Sequence, residues 1–493
     1  MDADLKILHY NETYVRIEAL SPILIEIYNH FKFYTKNYRF HPKYKAGLWD
    51  GTISIFKMKD KLLLKGLLPD LIQWAEHNQY SYDLSERAQQ GLSDYNIDDE
   101  KVNQLYEKLN GPFEPLDSQV DAVKHCINNG RAIILAPTSN GKSYIIHALA
   151  AFHAMQKQRV LVMIDRSQLI EQLRENLRDE YLGGEQFNYV TVYDKLGVPD
   201  DCDVYFTTWQ SCVDNTQKWF DQFDVIIADE VHKFKADSLK KIFEKLGHVS
   251  IRYGFTATLD NDSQTDRLTI KGMFGTPHRV ATIKELIEQG VVARPIVTAI
   301  ILEYPDTVRR EFARRKFETP QAKFAAEVKL SEEYEPRNAF IGKMDKHLDG
   351  NTLVAFKHHD HGQRLLNYLR DDAFFVNSTV KLKKRLDISK QIDEMKNSTA
   401  AVSIGTFSTG ISIRNVNNII ITCQLMSKIT VPQLIGRGMR KAEGKTVVHI
   451  FDIGDSLSLE GKNDNTLMKH FKERLQIYAE SGFEIKIQRI KLS

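Results

Sequence analysis

Residues 132–143 read AIILAPTSNGKS and run directly into a helical pattern, YIIHALAAFHAM, over 144–155. An apolar strand, a tight polar loop and a helix, in that order, place several backbone N–H groups and the helix dipole around one anion. Gly141 must be small for the loop to approach a phosphate, Lys142 would reach β- and γ-phosphates, and the Ser143 hydroxyl would ligate Mg²⁺. Ala136 stands where the general phosphate-loop pattern has its first glycine, so the strand–loop–helix context carries the reading.

Such a strand belongs in a parallel sheet covered on both faces. The rest of the chain supplies the partners. From Phe113 to about Pro295 the runs AIILA, VLVMI, VYFTT, DVIIA and IRYGFTAT alternate with helical segments such as LIEQLRENLRDEY, and a second set follows: TLVAF, AFFVN, AAVSIG, NNIIIT and TVVHIFD. Before them, LKILHY, YVRIEA, TISIF and LLLKG mix with helices near 22–33 and 69–77 as a small α+β module, and the polar stretch 83–110 reads as a surface helix or connector. The expected fold class is α/β. Residues 1–110 form the module with its connector, 111–295 a first lobe, 296–456 a second, and 457–493 a tail of helix then strand. A chain of 493 residues suits this division, because single cores stop growing near ~250–300 residues.

A second motif, DVIIADEVH over 224–232, ends an apolar strand in Asp229 and Glu230. Strand ends of doubly wound sheets face the ligand crevice. One carboxylate there can hold Mg²⁺ while the next polarises an attacking water.

With 67 Lys+Arg against 65 Asp+Glu, the net charge of +2 excludes a polycation but not a local basic patch. One patch lies between Phe31 and Lys65. Nine Lys/Arg there face only Asp50 and Asp60, a local charge of +7, and eight aromatics are interleaved with them. Basic groups neutralise phosphates and aromatic faces stack on unpaired bases, which suits branched or partly single-stranded DNA. At least half of those aromatics are expected to build the module's core instead. Arg39, Lys43, Lys45 and Trp49 are the DNA-contact candidates. A second basic run, Arg309 to Lys323, fits either an element lying over DNA or a solvated insertion. His358, His359 and His361 have no Cys or fourth His at ligand spacing, so a polar loop fits them better than a metal site. Cys126, Cys202, Cys212 and Cys423 stand far apart and form no C-x-x-C pair, as in a reducing compartment. The first residues lack a signal-peptide pattern, and no apolar run approaches ~18 residues. A cytoplasmic location with no membrane contact is the expectation.

Taken in order, GKS, DEVH, Thr256-Ala257-Thr258 and QLIGRGMR resemble motifs I, II, III and VI of superfamily two helicases and translocases. VLVMIDRSQLIEQ, FTTWQS, LVAFKHHDHG and SIGTFSTGISI resemble motifs Ia, Ic, IV and V. The resemblance implies two RecA-like lobes with ATP between them, preceded by the small DNA-recognition domain. It implies nucleotide contacts from Gln119, Thr138, Ser139, Asn140, Gly141, Lys142, Ser143, Gly410 and Ser412, and catalytic roles for Lys142, Asp229, Glu230, Gln433, Arg437 and Arg440. Ser143 and Asp229 would hold the metal, and Arg166, Thr208, Lys357 and Thr409 would meet DNA phosphates. The i, i+3 spacing of Arg437 and Arg440 alone also fits a surface basic helix. Asp165-Arg166 replaces a common Pro-Thr, and Ser412 a common Asp. YRFHPKYKAGLWDG, IKELIEQGVV and GTFSTGISIRNVNNIII further resemble the UvsW-type helicases of phages. That group implies branch migration of Holliday junctions or forks and unwinding of R-loops, in recombination, replication and repair. RNA–DNA hybrids, and recombination or replication proteins, would then be partners. A duplex translocase that separates no strands, or an RNA helicase, would use the same ATPase motifs.

Overall fold

The computed structural model describes residues 3–35, 37–89, 93–111, 113–137, 139–167, 170, 173, 188–192, 199, 201–234, 236–259, 263–406, 413–425 and 430–493. They divide into two compact units, 1–281 and 282–493.

In the first unit, seven parallel strands run in the order Pro277–Arg279, Arg131–Leu135, Ile251–Thr256, Val225–Asp229, Val160–Ile164, Val204–Thr208 and Tyr189–Thr191. All five strands expected here are present, because each is a continuous apolar run buried on both faces. The helix Lys142–Met155 is buried along most of its length, as its unbroken apolar sequence requires. Helix Asp99–Leu109 differs from the surface connector expected. Asp98 caps it by accepting from Lys101 N at 3.0 Å, and Val102, Leu105, Tyr106 and Leu109 recur at helical spacing and pack into the lobe's core.

The N-terminal module adds a four-stranded sheet ordered Leu62–Leu64, Tyr14–Ala19, Leu5–His9 and Tyr82–Leu84, with helices Ser21–His30 and Leu68–His77. Its core is continuous with that of the first lobe: Leu5, Ile17, Leu64 and Leu71 belong to one apolar cluster with Phe243, Ile270 and Phe274. Polar contacts reinforce the seam. Thr13 Oγ1 donates to the Phe243 carbonyl (2.7 Å), Arg252 Nη2 donates to Thr13 Oγ1 (3.0 Å), and Lys271 pairs with Asp70 (2.7 Å). Gly66 and Gly272 permit the close approach, since a Cβ at Gly66 would stand 2.2 Å from the Lys271 carbonyl oxygen.

Only Phe31 and Phe56 of the eight interleaved aromatics are buried, fewer than the half expected. The segment between the paired strands Lys32–Tyr34 and Thr52–Ser54 departs from the main sheet, so its rings pack on one another. Tyr34 stacks on Tyr38 at 4.5 Å, Tyr38 meets Tyr44 edge-on at 4.9 Å, and Phe40 (75 %) and Leu48 (79 %) remain exposed.

The second unit carries another seven-stranded parallel sheet: Phe374–Val376, Thr399–Ser403, Thr352–Phe356, Asn418–Ile421, Val447–Ser456, Arg294–Glu303 and Glu484–Lys491. Two ion pairs with no solvent exposure fasten helices to the Val447–Ser456 strand. Arg337 on Glu335–His347 grips Asp455 at 2.7 and 3.0 Å, and Arg474 on Thr466–Glu480 grips Asp452 at 2.8 and 2.7 Å. Both chelates are bidentate, the geometry in which burying a charge pair is best compensated.

Candidate nucleotide site and nucleic-acid surface

The Arg131–Leu135 strand delivers the chain into the loop 136–141, and Gly141 caps the following helix with φ +71°. A side chain is excluded there twice over: φ is left-handed, and a Cβ would lie 2.3 Å from Gln119 Nε2. Gln119 is buried, and both of its polar ends are engaged. Its amide donates to the Asn140 carbonyl (2.9 Å), and its oxygen accepts from Leu116 N (3.0 Å). This expected nucleotide-contact residue thus holds the phosphate loop in shape. Asn140 is fully buried; its Oδ1 accepts from Ser118 Oγ (3.1 Å), and its Nδ2 has no acceptor. Ser139 sits at φ 74°, Lys142 and Ser143 open the helix, and Thr138 lies outside the described residues.

Asp229 ends the Val225–Asp229 strand, and Glu230 follows at φ 51°, its N–H donating to Asp229 Oδ1 (2.9 Å). That turn brings Glu230 Oε1 to 2.9 Å from Lys142 Nζ. Burial pushes the Asp229 carboxyl up to about 6, Lys142 opposing and Glu230 adding to the shift. Burial works against ionised Glu230 too, but Lys142, His232 and Lys233 outweigh it and hold that carboxyl down at about 2. Two adjacent carboxylates therefore have different protonation equilibria.

His232 ties this strand end to its neighbour. Its Nδ1 lies 2.7 Å from Thr256 Oγ1 and 3.3 Å from Glu230 Oε2, while Thr256 Oγ1 donates to the Thr258 carbonyl (2.8 Å). Burial lowers the His232 pKa to about 4, so the ring is neutral and Nδ1–H donates to the threonine. Lys233 Nζ is 3.6 Å from Asp165 Oδ2, which also accepts from Arg166 Nε (3.3 Å), and Gln210 Nε2 donates to the Asp165 carbonyl (2.9 Å). Sequence reasoning named these motifs separately; their wiring through Asp165 and His232 depends on strand order. Arg166 stays half exposed, whereas Thr208 is buried and its hydroxyl caps helix Trp209–Cys212 by accepting from Ser211 N (3.2 Å).

In the second unit Gln433 and Arg437 share one face of helix Thr430–Gly438 at i, i+4, and Arg440 follows its end; all three are half-buried. Lys445, unremarked in the sequence, is buried beneath them. Its ammonium donates to the carbonyls of Gly438 (2.6 Å), Arg440 (3.0 Å) and Arg414 (3.0 Å), fixing the helix end. Lys357 is exposed after the Thr352–Phe356 strand. Thr409, Gly410 and Ser412 lie outside the described residues. His358 faces Glu332 at 2.7 Å, His359 faces Asn377 at 2.9 Å, and His361 lies 3.4 Å from Arg337 and 3.9 Å from Glu332. Arg309, Arg310 and Arg315 pair with Asp306 and Glu311 on or beside their own helix, Asp306–Arg314, which Phe312 anchors.

On the module, Arg39, Lys43 and Lys45 are exposed around Phe40, and Trp49 is half-buried, donating from Nε1 to the Thr52 carbonyl (2.7 Å) against the edge of His41. Trp49 acts here as an anchor for the loop that carries the cations.

The family described as type III restriction enzyme, res subunit, matches residues 112–261, and the family described as DNA helicase UvsW, N-terminal, matches residues 3–85. With tandem parallel sheets and the two nucleotide motifs at strand ends of one sheet, the chain is an ATP-dependent DNA helicase of superfamily two, built from two RecA-like lobes. It is 28 % identical over 518 residues, 99 % of this chain and 100 % of the relative, to the ATP-dependent DNA helicase uvsW of Enterobacteria phage T4. The crystal structure of T4 UvsW superposes with TM-score 0.51 at 25 % identity, covering 99 % of this chain and 100 % of that one. A second structure of the T4 UvsW helicase gives TM-score 0.51 at 24 % identity over 56 % of this chain and 99 % of that one. The chain is thus similar to a UvsW helicase over nearly its whole length. Among the described residues, no helix is long and apolar enough to cross a membrane.

Proposed function

We propose that this helicase remodels branched DNA: it migrates Holliday junctions or forks and unwinds R-loops during phage recombination, replication and repair, in the cytoplasm of the host cell. The observation that carries the reading is the exposed Phe40 and Leu48 tip, ringed by Arg39, Lys43 and Lys45, on a module whose core is continuous with the phosphate-loop lobe. Cations that track phosphates and an apolar tip that meets unstacked bases suit a branch point better than uniform duplex.

The phosphate loop supports this assignment, because at Gly141 a backbone-only cradle is enforced by Gln119. Ser143 and Asp229 offer hard oxygen donors of the kind Mg²⁺ takes together with substrate phosphates, and so fit that ion. When bound, Mg²⁺ supplies charge neutralisation at the phosphates. Lys142 holds the terminal phosphates, Glu230 orients the attacking water, and Gln433, Arg437 and Arg440 supply transition-state charge. Gly410 and Ser412 complete the nucleotide contacts, while Arg166, Lys357 and Thr409 follow the backbone. RNA–DNA hybrids fall within the same substrate class, and recombination or replication proteins are the partner class.

The test compares ATP-dependent processing of a Holliday junction, a fork, an R-loop and a linear tailed duplex, with Lys142→Ala as the inactive control. Translocation on linear duplex with no processing of the other three would overturn branch remodelling in favour of a duplex translocase.

A further inference from the structure

Within the first unit, the N-terminal module and the lobe enclose a cavity of about 280 Å³, lined by His9, Glu12, Lys65, Arg87 and Arg131 with neutral polar neighbours such as Asn129. It lies at the start of the Arg131–Leu135 strand, whereas the phosphate loop leaves that strand's other end, roughly 13 Å away at ~3.3 Å per residue. The two sites are distinct.

The cavity is short of negative charge. Lys65, Arg131 and, just behind them, Arg252 are all buried, and Arg87 stands at the exposed mouth. Glu12 is the one carboxylate among the lining residues. Its Oε2 accepts from Lys65 Nζ (2.8 Å) and Arg131 Nη2 (3.1 Å) together, and its carbonyl accepts from Arg131 Nη2 as well. Arg131 Nη1 and Arg252 Nη1 are buried and have no acceptor among the described residues. A guanidinium nitrogen buried without an acceptor is costly, and Arg131, which carries one, lines this space. Burial, reinforced by the charge of Arg131, holds Lys65 below its usual range, and burial lowers Arg131 to about 10. The volume falls just under the ~300–1,000 Å³ of organic-ligand pockets, so a small anion fits better than a nucleotide.

We propose that this cavity is a phosphate-binding site at the seam between module and lobe, taking a phosphate dianion on Lys65, Arg87 and Arg131. The anion would accept from the Arg131 guanidinium and share the lysine with Glu12. Because Glu12 and Lys65 come from the module and Arg131 from the lobe, an anion there fastens one to the other. Two sources carry this chemistry: free orthophosphate and a phosphate that ends a nucleic-acid strand.

The test measures orthophosphate binding by titration calorimetry at constant ionic strength. The full chain carries Lys142→Ala, so that the phosphate loop does not contribute. One site is expected, weakened about tenfold by Arg87→Ala and tightened several-fold by Glu12→Gln, which removes the competing carboxylate but keeps a hydrogen-bonding side chain. Neither variant empties the core, so folding is retained where Arg131→Ala could lose it. No binding, or binding indifferent to both substitutions, overturns the proposal. Displacement of orthophosphate by an oligonucleotide with a 5′-phosphate, and not by its 5′-hydroxyl twin, assigns the site to strand ends. Retention in both cases assigns it to free phosphate.

Discussion

Lys142 Nζ and Glu230 Oε1 lie 2.9 Å apart, so the ammonium proposed to grip phosphate and the carboxylate proposed to orient water form a single ion pair. The left-handed turn at Glu230 creates this contact by swinging the carboxylate across the strand end toward the start of the helix. In the proposed reaction, substrate phosphate competes with Glu230 for the lysine, and whatever draws Lys142 away leaves Glu230 available to water.

Glu230→Gln keeps the shape and removes the charge. ATP affinity is expected to change less than about threefold, while single-turnover hydrolysis falls at least ~100-fold, the scale typical of a lost group that acts in the transition state. Hydrolysis within a factor of a few of the unaltered chain would show that another group orients the water.

Asp229 has a carboxyl raised from the usual 3.8 to about 6 by burial, so folding strips solvent from a charge proposed to help hold Mg²⁺. Between those values the folded chain holds a proton that the unfolded chain has released. The stability this group contributes is therefore fully present below 3.8 and lost as pH rises through about 6. Asp229→Asn should melt a few degrees higher than the unaltered chain at pH 7, with a smaller gain at pH 5, and have no ATPase activity. Thermal melts at the two pH values decide the matter; an Asn variant that melts lower at pH 7 contradicts the assignment.

Phe40→Ala is expected to weaken binding to a junction with unpaired bases by about 1–3 kcal/mol and to affect fully paired duplex far less. The pair Lys43→Glu and Lys45→Glu should weaken both and flatten the dependence of log K on log salt by about two. Fluorescence anisotropy across a salt series separates these effects. Equal losses on the two DNAs for Phe40→Ala would assign that ring to loop packing.

Arg474→Met leaves Asp452 fully buried with only the Tyr478 hydroxyl, at 2.7 Å, as a strong partner. Breaking one side of such a pair costs about 3–5 kcal/mol. Urea unfolding followed in the second unit should show a matching fall in midpoint, and replacing both Arg474 and Asp452 by apolar residues should recover part of it.

Legibility in the sequence followed range. The phosphate loop and DEVH strand were readable because a strand, a turn and a helix start are written in a dozen contiguous residues. Five-residue strands surfaced where apolar runs were uninterrupted, and TVVHIFD marked part of the ten-residue Val447–Ser456, but the ten-residue Arg294–Glu303 went unnamed, and Tyr189–Thr191 and Pro277–Arg279, three residues each, are too short to leave a period. The charged face of helix Asp99–Leu109 hid its buried stripe within a stretch that is polar on average. Side-chain commitments were the least readable. That Thr208 spends its hydroxyl on a helix cap, or that Lys445 collects three carbonyls, depends on which backbone atoms tertiary structure brings near. Thr13 and Phe243 stand 230 positions apart, and neither residue type advertises the other.

The interlock of Gly66 with Lys271 has a mechanical meaning. A grip joined to its engine by a slack tether must take up that slack before any stroke does work on the load. Here backbone meets backbone with no room for a methyl group, and one apolar core runs through the joint. With the aromatic loop in its proposed role on DNA, any load it meets is felt at once by the lobe that holds the phosphate loop, and a substitution as small as Gly66→Ala would loosen the transmission without touching grip or engine.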